Sequence, residues 1–111
     1  IKYDENVVKF QEKMVEYALG VKKALSSKIV YFNFVEHVTK NCDCMSKDET
    51  PMVPDIGLIC GMDPVAVDKA SMDLVGIDKF KEAFPEIDPL IQINHAEKIK
   101  LGIGQYELTE I

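Results

Sequence analysis

The stretch "GLICGMDPVAVDKASMDLVG", residues 57–76, constrains the fold more than any other part of the chain. A short apolar run bounded by turn residues reads as a buried strand, about 56–61. Asp63–Pro64 then opens a helix. The aspartate can accept from the first free backbone N–H groups, and proline at the first helical position has no N–H to waste. Helical spacing continues to Val75, and Gly76 is the stop. A strand running directly into a capped helix is the joint from which layered α/β domains are built.

The flanking sequence supplies further elements. Asp4 and Glu5 suit a helix start. Val7, Phe10, Met14, Tyr17, Val21 and Leu25 then recur at spacings of three and four, which predicts an amphipathic helix of about 20 residues. Lys9, Glu12, Lys13, Glu16 and Lys23 occupy its other faces, and Ser26–Ser27 ends it. "KIVYFNFVEHV" is dense in β-branched and aromatic residues and predicts a strand at 28–36. Its apolar side chains sit on both parities, as in a strand covered on both faces. Residues 37–55 carry no period. Loops longer than ~12–15 residues inside compact domains are uncommon and usually functional or mobile. "DKFKEAF" predicts a short helix, Asp88–Pro89 repeats the helix-start device before "LIQINHAEKIKL", and Gly102 is the expected stop. "QYELTE" alternates as a last strand would.

The expected architecture is a small α/β domain of two or three layers, in the order α-β-(long loop)-β-α-α-α-β. A parallel crossover between strands 56–61 and 105–110 would be right-handed. Three strands make a small sheet, so we expect a fragment of a larger one. With 111 residues the chain fits one domain, 1–111, burying ~65% of its unfolded surface. It opens at Ile1 with helical sequence almost at once, which we read as a C-terminal piece of a longer protein. The formal charge of −6, with no basic cluster, argues against nucleic acid as a partner. No apolar run approaches the ~20 residues of a membrane span. Three cysteines, an odd number, favour a reducing, cytoplasmic setting.

Chemistry concentrates in "NCDCMSKDET", residues 41–50. Thiolates bind soft or borderline metals, and Cys42–Asp43–Cys44 can aim two sulfurs at one ion. Two ligands are too few for a closed site. His37 is a third candidate, Asp43, Asp48 and Asp55 are carboxylate candidates, and Cys60 is a thiol on the next strand. Two other readings stand beside this one: an Asx-type turn made by Asn41 and Asp43 with the sulfurs packed or exposed, and a strained C-x-C redox pair. Asp63 near the end of the 56–61 strand sits where α/β sites collect, although its role as a helix cap also accounts for it. Asp68 and Asp73 do not share a tight helix face. His95 suits a packing role in its helix.

Cys42–Asp43–Cys44, Val53–Pro54–Asp55–Ile56–Gly57, Asp63 through Ala70 and Asp73 together resemble the C-terminal part of the uncharacterised iron–sulfur-centre proteins, a prokaryotic family (domain of unknown function 362). "HAEKIKLGIGQYEL" resembles that family's ending, so the likeness runs over about 28–111. The resemblance implies a parent with a ferredoxin-like segment, which would be this domain's partner, and a [4Fe–4S] cluster as its cofactor. The ferredoxin-type C-x-x-C-x-x-C run is missing here, so such ligands belong to the rest of the parent. Cys42, Asp43, Cys44, Asp55 and Asp63 are then the cofactor-binding candidates, with Cys42, Cys44 and His37 as metal contacts. Three readings follow: a redox or metal-binding domain, an enzyme holding a small ligand beside the Cys-Asp-Cys loop, or a structural domain without chemistry of its own. A homo-oligomer is compatible with each.

Overall fold

The computed structural model describes residues 5–26, 28–42, 45 and 48–111. Six elements follow in the order α1 (Glu5–Ala24), β1 (Tyr31–Val35), β2 (Gly57–Gly61), α2 (Pro64–Val75), α3 (Ile77–Ala83) and α4 (Ile91–Lys98). The class is mixed α/β: four helices and a two-stranded sheet among the described residues. Asp63 caps α2 as its sequence position requires, accepting from Val65 N at 2.9 Å and Ala66 N at 3.1 Å. Gly76 closes α2 at φ 105°, a backbone setting that favours glycine, and its N–H returns to Met72 O.

β1 and β2 pair antiparallel, with Phe32 opposite Cys60 and Val35 opposite Gly57. The expected parallel crossover does not form, because residues 103–111 adopt no regular structure. The alternation in "QYELTE" satisfies a different partner: the Tyr106 hydroxyl donates to Asp73 Oδ2 on α2 at 2.6 Å. Lys69 Nζ donates to the other oxygen at 2.7 Å. These two hydrogen bonds, Lys69 first and Tyr106 second, hold the Asp73 carboxyl below the ordinary carboxylate range. The same bond pushes the Tyr106 phenol up. A carboxyl whose folded pKa is depressed contributes stability above its unfolded pKa and loses it as pH falls through the folded value. The tail clasp should therefore hold at neutral pH and open in acid below the ordinary carboxylate range. Tyr106→Phe should open it at neutral pH too, read as faster amide exchange over 103–111 with little change in global stability, because the clasp is exposed.

The expectation of a sheet covered on both faces is also corrected. Among the described elements, α2 alone packs against the hairpin; α1 packs on α4 instead. Tyr31, Asn33, Val35 and Ile59 face α2, where Asn33 Nδ2 donates to Asp68 Oδ1 at 2.8 Å and Ser71 Oγ at 3.1 Å. On the opposite face Val30, Phe32, Phe34 and Leu58 are exposed, Phe34 by 70%. The core lies between α1, α2 and α4: Val15, Val65, Met72, Ile93, Ala96 and Leu101.

α4 ends earlier than Gly102. Lys100 takes a left-handed φ of 65°. Its N–H meets Glu97 O, and Leu101 N meets Ala96 O at 2.9 Å. That is the Schellman closure, with lysine where glycine is usual. Lys100→Gly should raise stability by roughly 1 kcal/mol, since an L-residue pays about that much in this conformation; a denaturation midpoint that does not move upward contradicts the reading.

Candidate functional site

The 36–56 segment joins the two strands of an antiparallel hairpin, so its ends are brought together by the ladder itself. Pairing continues past the strands: Ile56 N donates to Val35 O at 2.9 Å and Met52 N to Val38 O at 2.7 Å. Between these, the backbone N–H of His37 donates to Asp55 Oδ1 at 2.8 Å. His37 has φ 49°, which turns the chain out of the strand direction. Asp55 is thus the side chain that holds this turn. Higher up, Thr39 Oγ1 donates to Asn41 O at 2.7 Å, and Asn41 Nδ2 to Glu49 Oε1 at 3.2 Å. Cys42 follows directly, exposed, on a half-turn in which Met45 N meets Cys42 O at 3.0 Å. The loop is a laddered base with a cysteine-bearing tip.

His37, Asp55 and Cys42 therefore share one end of the hairpin. Asp43 and Cys44 lie outside the described residues. Cys60 and Asp63 lie toward the other end. Cys60 is exposed on the open sheet face, across from Phe32. Asp63 Oδ1 takes the two cap hydrogen bonds, and Oδ2 accepts from Ile103 N at 2.9 Å. Tyr31, opposite Gly61 at that same end, has its phenol pushed up by burial first and by the Asp63 charge second. Asp68 holds Asn33 and Asp73 holds the tail. His95 sits between two α1 side chains at the contact of α4 with α1, Nδ1 3.2 Å from Glu12 Oε2 and Nε2 3.6 Å from Glu16 Oε1. Among the described residues no three His, Cys, Asp or Glu side chains are placed to hold a metal ion. The described residues therefore do not fit a whole cluster, which usually takes four cysteines.

Sequence reasoning did not single out Asn33 or Glu49. Asn33 was visible as the lone amide in an apolar strand. Glu49 carried no signal, because only the loop's closure brings it to Asn41.

The fold and loop define a small mixed α/β domain that presents a cysteine from the tip of a hairpin connection. The chain belongs to the family described as Domain of unknown function (DUF362), whose model matches residues 2–73. That span takes in α1, the hairpin with its loop, and most of α2; the ending from His95 to Leu108 falls beyond it. No curated protein matches the chain, and no solved structure does. No helix among the described residues is long and apolar enough to cross a membrane.

Proposed function

We propose that this chain is the C-terminal domain of an iron–sulfur protein. In this reading the 37–55 loop supplies part of a metal or cluster ligand set, through Cys42 and Cys44, and the parent's ferredoxin-like segment completes it. One observation carries the proposal: an exposed cysteine at the tip of a loop whose base is fixed by three hydrogen bonds, from Ile56, His37 and Met52. A fixed base satisfies backbone groups in any hairpin connection, and a ligand residue has the further need to be held close to its working geometry. The shortage of further ligands nearby is why the set is assigned to two segments. Asp55 contributes by holding the turn at His37, while Asp63 caps α2 and accepts from Ile103 N, away from the loop.

The test uses the full-length parent, reconstituted anaerobically with iron and sulfide. Cys42→Ser and Cys44→Ser should each lower bound iron and bleach the visible charge-transfer absorption, with the far-ultraviolet dichroism unchanged. Asp55→Ala should lower iron retention less, through the loop base. Unaltered iron content in both serine variants sinks the proposal and leaves the loop an architectural feature.

A further inference from the structure

The base of the 36–56 loop does not stand clear of the helices. It faces α3 across a cleft of about 260 Å³, lined by Lys40 and Met52 from the loop and by Lys79, Glu82 and Ala83 from α3. Met52 is placed there by the laddered base, through its N–H to Val38 O at 2.7 Å. Lys40 reaches across: its Nζ stands 5.4 Å from the centre of the Phe84 ring, just past the end of α3. The ring face attracts the cation and fixes where the ammonium sits. Its N–H groups can still donate to a ligand.

The charge on this cleft runs against that of the chain. The chain carries −6, yet two ammonium groups and one carboxylate line the cleft. Lys79 and Glu82 stand on the same helix, both exposed, and meet only at 3.9 Å; such a contact neutralises little in solvent. Lys40 makes no ion pair among the described residues. Two of the loop's carboxylates are turned elsewhere, Glu49 to the Asn41 amide and Asp55 to His37 N. Met52 and Ala83 are half-buried and form an apolar floor, while Lys40, Lys79 and Glu82 are exposed and form the rim.

We propose that this cleft binds a small organic oxyanion, a charged head on a short apolar body. Lysine meets phosphate and carboxylate alike as a point charge, so the cleft selects for charge and body and not for one headgroup. A neutral ligand gains nothing from the two cations, and a bare inorganic ion leaves the floor unused. The volume lies below the ~300–1,000 Å³ of drug-sized sites, which keeps the ligand small. Glu82 opposes the anion and limits its affinity. The inference stands apart from the iron–sulfur reading, because no cysteine lines the cleft. Its walls belong to the loop base and to α3, so an occupied cleft ties the Cys42-bearing loop to that helix.

Titration of the chain with phenyl phosphate, followed by amide NMR, tests it. Shifts should concentrate at Lys40, Met52, Lys79 and Ala83 and saturate with a dissociation constant of about 1 mM. Lys40→Met and Lys79→Met keep the aliphatic stem and remove the charge. Each should weaken binding about fivefold, what one exposed ion pair contributes. Glu82→Gln should tighten it, a sign that general loosening of the fold does not produce. Lys13→Met, on α1, should leave it unchanged. Cys42→Ser should bind as the wild type does, so loss of the iron–sulfur reading leaves this result standing. Inorganic phosphate, with no body to lie on Met52 and Ala83, should bind more weakly. Shifts that do not saturate, or that spread over lysines along the whole chain, overturn the proposal and leave a solvated surface. Equal affinity in the wild type and both cleft lysine variants overturns it too, as does inorganic phosphate binding as tightly as phenyl phosphate.

Discussion

Gly102→Ala should lower unfolding stability by about 2–4 kcal/mol, measured as a drop in denaturation midpoint at unchanged slope. A Cβ at this position would overlap Asp63 Oδ1 and lie 2.9 Å from Val65 Cγ2. Neither neighbour can retreat cheaply. Asp63 is held by three backbone N–H groups, from Val65, Ala66 and Ile103. Val65 is 2% exposed. Displacing the carboxylate removes a helix cap worth about 1 kcal/mol and leaves Ile103 N without its partner; the overlap with Val65 adds the strain of an overfilled core. The mechanism has its own signature. In an Asp63→Ala background the carboxylate is gone, so Gly102→Ala should then cost at least about 1 kcal/mol less. Additive costs would show that the glycine acts through something other than the cap. The sequence suggests Gly102 as the stop of the last helix. Its position here is set by tertiary approach instead: the chain passes over the start of α2, and only the smallest residue fits against the capping side chain.

That reassignment shows what kind of information the sequence holds. Local chemistry was legible. Asp63–Pro64 starts a helix wherever it stands, because cap and proline act within four residues, and α2 spans Pro64–Val75 as the pattern requires. The same holds for Gly76. Partner choice was not legible. "QYELTE" has the alternation of a strand, but a strand needs an edge, and here Asp73 offers a hydrogen bond instead. The α1 stripe has strong periodicity, yet periodicity identifies an apolar face without saying which neighbour covers it. The inner face is chosen by Val15 and Leu19 meeting the core, even with the Gln11 amide among them and its Nε2 without a hydrogen-bond partner. For the candidate site, the Cys42 loop was marked by composition, and the separation of Asp55 from Asp63 followed from their bracketing one strand. The loop's fixed base was hidden, because it rests on His37, Asp55, Val38 and Met52 meeting across many intervening residues.

The unequal covering of the two layers leads to the second large effect. Ile93→Ala should cost about 2–5 kcal/mol, the usual range for truncating a well-packed isoleucine. Ile93 is 3% exposed and belongs to the cluster in which α1, α2 and α4 meet. It also underlies the tail, since a Cβ at Gly104 would lie 3.5 Å from its Cγ2. α1 reaches the rest of the molecule by packing on α4, so a cavity there weakens the attachment of a 20-residue helix as well as the local core. Amide exchange in α1 should therefore accelerate before exchange in α2 and the hairpin does, because the sheet rests on α2 and not on α4. Phe34→Ala is the contrast. With 70% of its surface in solvent, Phe34 should cost within about 0.5 kcal/mol in this chain. If the chain is part of a longer parent, as proposed above, the same truncation made there reports on the open sheet face directly: a cost near that of a buried phenylalanine, about 3–5 kcal/mol, means that the parent covers it. An unchanged small cost means that the hairpin is a two-stranded sheet with one naked side in that longer protein as well. If Ile93→Ala instead unfolds α1, α2 and the hairpin together at one exchange rate, the helices and sheet form a single cooperative unit and α1 is not the separable element its packing indicates.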